Sequence, residues 1–447
     1  MKVLLVTPHF PPAHVGGVEY YTARLAAWLQ SRGCEPEVVS VEQVSTGSEQ
    51  DVRASVDDGS GYPVHRLEMR VQPKAHGFRL HWRNPALEEW FATLLSRTRP
   101  DVLHLQSGYL LGHAALTAAR AQRVPAVVTL HDLWFICPRV TMMHPDMNRC
   151  SGPDDGAKCA WCLTSEQRRF SLPDQWSGGA LGWVARQSLR TWPVRSEAQE
   201  RSLLARVDRR QRGLLEVLAG AGAVVSLSRF VRDQLERAGF EPGRIQIVPL
   251  GIGELRRAPG PRPARPGVLR IGYLGQLAPH KGVHVLIAAA RRLRSSALEL
   301  RIFGPDEPNV EYVRTLRRLA GGDPRIRFAG AYDNRRVEEV LADLDAIVVP
   351  SVWHENSPAV VLEAYRGGVP AIASRVGGLP EMIRDGVDGL LFEPGDPVRL
   401  AECIERLISD PSILPRLRNG IGPVRSEDEE GTELLAIYAR AASSLAG

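Results

Sequence analysis

AIVVPSVWHENSPAVVLEAYRGGVPAIAS, running from Ala346 to Ser374, is the stretch whose reading decides the fold. The apolar run Ala346 to Pro350 has the length and β-branched content of a buried strand, and a second such run stands at Pro370 to Ser374. Between them Pro358 to Arg366 carries helical spacing, with Asn356 or Ser357 as the expected N-cap and Pro358 in the first turn. Strand, loop, helix and strand in that order form a βαβ unit, and its crossover obliges the two strands to run parallel.

The same alternation continues in both directions. Towards the N-terminus of this half, strands are expected at Leu269 to Leu274, Leu298 to Phe303 and Arg325 to Ala329, with helices at Val283 to Arg294 and Arg336 to Leu344. At the start of the chain, Lys2 to Thr7, Tyr20 to Arg32 and Pro36 to Val41 make another βαβ unit. Further strands follow at Asp101 to Leu105, Ala126 to Leu130, Ala223 to Leu227 and Ile245 to Val248. The proline-rich run RRAPGPRPARP, Arg256 to Pro266, can continue neither a helix nor a central strand. The expected organisation is therefore α/β, with two Rossmann-like doubly wound domains: residues 1–255, a linker at 256–268, and residues 269–447, the last helix being a candidate to pack back on the first domain. Open parallel sheets bind ligands beyond the carboxyl ends of their strands, so the site is expected in a cleft that both domains face.

Composition narrows the classes further. The chain has 447 residues, 44% hydrophobic and 24% charged, with no apolar run near the ~18 residues that span a bilayer. Met1 to Pro8 is too short for a signal h-region, so a cytoplasmic protein is expected, with peripheral contact on the inner face of the membrane left open. The net charge is +5, but the basic residues are nearly all arginine, with lysine only at Lys2, Lys74, Lys158 and Lys281. Acidic residues are interspersed throughout, so a nucleic-acid partner is not expected.

Several positions carry chemistry by their place in this pattern. Glu355 lies in the loop before the Pro358 helix and Glu363 lies within that helix, so the two carboxylates can reach different parts of one ligand. The start of the helix at Pro358 offers free backbone N–H groups and partial positive charge to a phosphate. Gly16-Gly17 follows the first strand and permits close backbone approach, although it is not Gly-x-Gly-x-x-Gly, which argues against a dinucleotide oxidoreductase. His131-Asp132 stands at the carboxyl end of the strand Ala126 to Leu130, and Tyr332 follows the strand Arg325 to Ala329.

The combination resembles family 4 of the retaining glycosyltransferases, which have the glycosyltransferase B fold. It rests on Glu355 and Glu363 with seven residues between, Gly367-Gly368-Val369-Pro370, Gly377-Gly378-Leu379-Pro380-Glu381, Gly389-Leu390-Leu391-Phe392, Gly16-Gly17 and His131-Asp132. The resemblance implies transfer of a hexose-type sugar from a nucleotide-diphosphate sugar donor to a hydroxyl acceptor, by a front-side mechanism that needs no catalytic cofactor. It implies that Glu363 holds the ribose, that Glu355, His131 and Asp132 act at the donor sugar, and that Asn356, Ser357, Pro358 and Val360 hold sugar and phosphate. Gly275 to Gly282 corresponds to an element whose Arg and Lys grip the diphosphate; Lys281 is present, whereas Gln276 replaces the arginine. His280 is the nearest substitute cation, and Tyr332 is expected against the base. Other readings left open are a nucleotide-sugar epimerase or hydrolase on the same fold, and a non-catalytic membrane or nucleic-acid binder.

Two features lie outside that resemblance. Cys137, Cys150, Cys159 and Cys162 form C-x12-C-x8-C-x2-C, read as a four-thiolate structural zinc site, with an iron–sulfur cluster or free or disulfide-bonded thiols as alternatives. Residues from about 160 to 215 form an insertion rich in tryptophan and arginine, including Trp161, Trp176, Trp183, Trp192, Arg209, Arg210 and Arg212. That composition suits a membrane interface and also base stacking by single-stranded nucleic acid; the plainer alternative is a helical insertion with a solvated face.

Overall fold

The computed structural model describes residues 1–12, 16–44, 51–71, 80, 82–191, 202–253 and 267–443. The expected linker at 256–268 lies almost wholly outside them, as do Trp192 and Arg201. Two compact units emerge, one formed by Met1–Val248 with Gly431–Gly447 and the other by Pro249–Glu430.

The first unit is built on an eight-stranded sheet of β1 (Lys2–Val6), β2 (Glu35–Val44), β3 (Arg53–Asp57), β4 (Val64–Arg70), β5 (Val102–Leu105), β6 (Ala126–Leu130), β7 (Ala223–Ser226) and β8 (Ile245–Ile247). Their order is β3-β4-β2-β1-β5-β6-β7-β8. All pairings are parallel except β3 with β4, which runs antiparallel in the register Val56↔His65. That exception departs from the all-parallel reading. β3 is short, almost entirely exposed and polar, so it lacks the apolar run that marks the buried strands.

The second unit holds a six-stranded parallel sheet of β9 (Leu269–Leu274), β10 (Leu298–Phe303), β11 (Ile326–Gly330), β12 (Ala346–Val349), β13 (Ala371–Ser374) and β14 (Gly389–Phe392), in the order β11-β10-β9-β12-β13-β14. β12 is apolar at every position because both faces are covered. Ala346 and Val348 enter one core cluster, whereas Ile347 and Val349 enter another across the sheet. β13 divides the same way, with Ile372 on one side and Ala371 and Ala373 on the other.

The helices used below are α1 (Gly17–Ser31), α2 (Gly156–Thr164), α3 (Arg168–Trp176), α4 (Ala180–Thr191), α5 (Leu203–Ala219), α6 (Val283–Arg292), α7 (Ala359–Arg366) and α8 (Glu427–Ser443). From Gly431 onward α8 belongs to the first unit, where Tyr438 is fully buried. Within the α/β layers, Leu300→Ala removes a buried side chain and is expected to cost about 2–5 kcal/mol, read as a lower urea midpoint. Val56→Ala on exposed β3 should stay within roughly 0.5 kcal/mol of the wild type.

Candidate active site

In the second unit three loops meet at Glu355. One leads from β9 to α6, one from β12 to α7, and one follows β13. Gly282 lies in the left-handed region (φ +73°), and a Cβ there would run into the Pro350 carbonyl, so only glycine lets these two loops close. The Val352 N–H then donates to the His280 carbonyl at 3.0 Å. On the third loop Gly377 (φ +60°) rests against the Glu355 backbone, and the Gly378 N–H donates to the Glu355 carbonyl at 2.8 Å.

This closure buries the Glu355 carboxylate, which is only 5% exposed. Its Oε1 accepts from Lys281 Nζ at 2.8 Å and from Ser351 Oγ at 2.5 Å. Burial pushes the carboxyl up, but Lys281 and Ser351 more than reverse it, so Glu355 titrates below the usual carboxylate range. Lys281 Nζ also lies 4.7 Å from the centroid of the Trp353 ring, whose other neighbour is the His280 ring at 4.5 Å. Burial and the adjacent Lys281 charge push His280 down to about 4. His280 is therefore neutral at pH 7 and does not replace the cation missing at Gln276. Gln276 itself is exposed, and its carbonyl accepts from Tyr273 Oη at 2.6 Å.

The start of α7 differs from the expectation. Pro358 is the N-cap residue rather than part of the first turn, and no side chain caps the helix. Neither Asn356 nor Ser357 plays that part, and the Ser357 hydroxyl faces Met382 Sδ at 3.8 Å. Asn356, Ser357, Pro358, Val360 and Glu363 are all half-buried along this edge, so the positive helix end stays open to an anion. Tyr332 is half-buried, with its ring edge-on to Phe303 at 6.1 Å. Asp345, at the opposite end of β12 from Glu355, is held structurally by the Arg270 N–H at 2.9 Å and by Arg418 at 3.1 Å.

In the first unit Gly16 is the N-cap of α1 and Gly17 its first residue. Tyr21 of that helix meets the His131 ring edge-on at 4.5 Å, which brings the Gly-Gly helix start and His131 together. His131 Nε2 donates to Gln106 Oε1 at 2.9 Å, and Gln106 Nε2 donates to His104 Nδ1 at 3.1 Å. Tyr438 Oη donates to the same nitrogen at 2.6 Å, so His104 keeps its proton on Nε2 and donates it to Thr129 Oγ1 at 2.8 Å. The chain of bonds sets the His131 tautomer, with the proton on Nε2. Burial pushes both His104 and His131 down to about 3. Asp132 turns out to hold the turn: Oδ2 accepts from Ser107 Oγ at 2.6 Å and Oδ1 from the Trp134 N–H at 2.8 Å.

The positions that sequence reading missed are Ser107, Gln106, His104, Tyr438, Ser351 and Trp353. One signal was available, since His104 is a polar residue inside the otherwise apolar buried strand Val-Leu-His-Leu.

None of the four cysteines is disulfide-bonded. Among the described residues no group of three or more His, Cys, Asp or Glu is arranged to hold a metal ion. Burial pushes the Cys137 and Cys159 thiols up, and the other three cysteines add to that effect at Cys159, so both are protonated at neutral pH. Arg210 is also not a surface residue: it is 1% exposed, stacks on Trp134 at 5.0 Å and donates to the Trp134 carbonyl at 2.7 Å.

Comparison with known proteins accords with this geometry. Residues 268–410 match the model described as glycosyl transferases group 1, and residues 16–158 match the glycosyl transferase 4-like domain. A D-inositol 3-phosphate glycosyltransferase of Actinosynnema mirum is 31% identical over 300 residues, covering 60% of this chain and 71% of that protein. A glycogen synthase of Mycobacterium tuberculosis is 25% identical over 435 residues, covering 93% and 88%. Among solved structures, sucrose-phosphate synthase of Thermosynechococcus elongatus superposes with a TM-score of 0.65 at 18% identity over 99% of each chain. Anabaena HepE in complex with UDP and glucose gives 0.63 at 17% identity, over 100% of this chain and 99% of that one. The chain belongs to the family 4 glycosyltransferases and has the glycosyltransferase B fold.

Two measurements check the first-unit network. His104 and His131 stay neutral when folded, while in the unfolded chain they protonate near 6.5; the unfolded state thus binds more protons below that value. Stability should be complete above about pH 6.5 and fall by about 1.4 kcal/mol per pH unit for each histidine as the pH drops towards their folded values, seen as a falling melting temperature. Gln106→Glu sets a carboxylate opposite His131 Nε2, beside His104, Asp132 and Tyr21, and should raise the His131 pKa by roughly 1–3 pH units. NMR titration of the ring should show that rise; an unchanged titration would remove Gln106 from control of His131.

Proposed function

We propose that the protein is a retaining hexosyltransferase that uses a nucleoside-diphosphate sugar and delivers the sugar to a hydroxyl acceptor. The observation that carries the reading is the buried Glu355, paired with Lys281 and Ser351 beside the uncapped start of α7. In this reading the α7 amides and Lys281 bind the diphosphate, and Glu363 binds the ribose. Glu355, freed in part as the phosphates compete for Lys281, faces positive charge developing on the sugar. His131 of the first unit, neutral and held in one tautomer, hydrogen-bonds the sugar hydroxyls.

The bond from the anomeric carbon to the phosphate oxygen breaks on the face where the acceptor oxygen attacks. The acceptor proton passes to the departing phosphate, so the products are the glycoside and the nucleoside diphosphate, with configuration retained. One structural neighbour supports the donor class: HepE was solved with UDP-glucose as well as with UDP and glucose. A UDP-hexose is accordingly the first donor to test.

Calorimetry with UDP, GDP, ADP and dTDP is expected to show one preferred base. Glu363→Ala and Lys281→Ala should each weaken that nucleotide by roughly 10- to 100-fold, the loss of one charge-assisted hydrogen bond. Glu355→Gln keeps the shape of the side chain and should leave nucleotide binding within a few-fold while lowering turnover by roughly 100- to 1,000-fold. Nucleotide affinity unchanged in both the Glu363 and Lys281 variants would displace the donor site from α7.

A further inference from the structure

Helices α3 and α4 form a hairpin that is firmly built yet leaves its apolar side chains uncovered. Its turn is tied by the Gly179 N–H to the Asp174 carbonyl at 2.8 Å and by the Leu181 N–H to Ser177 Oγ at 3.2 Å. Asp174 is the only acidic residue between Gln167 and Thr191, and its carboxylate is turned inward. It accepts from the Gly182 N–H at 2.7 Å and from Trp161 Nε1 on α2 at 3.4 Å. The single negative charge of the hairpin is thus used to hold its two helices to each other and to α2.

What remains on the outside is apolar and basic. Eleven large apolar side chains are exposed among the described residues, and five of them, Leu172, Trp176, Leu181, Trp183 and Val184, lie in this hairpin. Trp176 is 84% exposed and Trp183 57%. All five flank the turn, Leu172 and Trp176 four residues apart on α3 and the other three at the start of α4. The arginines lie farther back, with Arg168 and Arg169 in the first turn of α3 and Arg186 beyond Val184 on α4. At 1.5 Å per residue, Arg168 stands about 12 Å along the axis from Trp176, so the cations lie away from the apolar tip.

We propose that this hairpin is a docking surface for an anionic lipid bilayer. Leu172, Trp176, Leu181, Trp183 and Val184 enter the boundary between headgroups and acyl chains, while Arg168, Arg169 and Arg186 meet the lipid phosphates. Charge complementarity selects this occupant: the apolar tip is ringed by cations, and its one acid is already internally bonded. Tryptophan suits the interface because its ring is apolar and its N–H polar. No helix of the described residues is long and apolar enough to cross a membrane, so the contact is interfacial.

The test is flotation of the full chain with vesicles of phosphatidylcholine alone and of phosphatidylcholine mixed with phosphatidylglycerol, at about 0.01 M and 1 M ionic strength, where the screening length is roughly 30 and 3 Å. The wild type should bind the anionic vesicles about 100-fold more tightly than the neutral ones, and high salt should remove most of that difference. Trp176→Ala with Trp183→Ala should weaken binding about tenfold or more with an unchanged melting temperature, because both side chains are exposed. Replacing Arg168, Arg169 and Arg186 by Gln should abolish the preference for anionic lipid. Equal binding of wild type and the tryptophan variant, or no vesicle binding at low salt, overturns the proposal. A concentration-dependent dimer in light scattering that the tryptophan pair of changes abolishes, without any vesicle binding, would reassign the surface to a second copy of this chain.

Discussion

The Lys281–Glu355 pair is the constraint around which the second unit is arranged. A carboxylate as buried as Glu355 is tolerable only if a cation and hydrogen-bond donors compensate its lost hydration, and here Lys281 and Ser351 do so on a single oxygen. That compensation requires the three loops to approach to backbone contact, which Gly282 and Gly377 permit. The pair therefore couples the architecture to the chemistry. Under the proposed function, the charge that must be neutralised for folding would be the one offered to the donor sugar, and the lysine that neutralises it would be the cation a diphosphate contests. The open start of α7, set next to it by the β12–α7 loop, adds a second source of positive potential without any further side-chain charge.

The first unit handles buried polarity differently. Its network from Thr129 through His104 and Gln106 to His131 carries no net charge, because burial keeps both imidazoles neutral over the physiological range. Each donor there meets an acceptor, and one proton arrangement follows through the whole chain of bonds. The helix α8 takes part through Tyr438, so residues 334 positions apart, His104 and Tyr438, belong to the network that orients His131. Asp132, adjacent in sequence, joins the Ser107 hydroxyl to the Trp134 N–H and so holds the turn between them.

The insertion after β6 shows how burial sorts chemically similar residues into different roles. Arg210 is taken into the core by α5 and spends its charge on the Trp134 ring and carbonyl, whereas the arginines of the α3–α4 hairpin remain outside. The four cysteines are close in sequence; burial pushes the Cys137 and Cys159 thiols up, and Cys150 Sγ donates to the Gly152 carbonyl at 3.4 Å.

Most of the sheet was legible from residue order. Ala126–Leu130, Leu269–Leu274 and Leu298–Phe303 appear with the expected bounds; the first two are buried at every position and the third alternates buried Leu298, Leu300 and Ile302 with half-buried residues, so apolar side chains still mark each of them in the sequence. Polar β3 carried no such mark, and the antiparallel edge it forms came only with the structure. The family motifs located Glu355, Glu363, Lys281 and His131, but spacing alone could not show that Lys281 and Glu355, 74 residues apart, would pair. Nor could it join His104 to Tyr438 across 334 residues. Periodicity and capping are local properties written along the chain, so the residues by themselves determined the parallel α/β architecture. Which buried polar groups satisfy one another depends on the closure of loops far apart in sequence, and that was decided only by the tertiary structure.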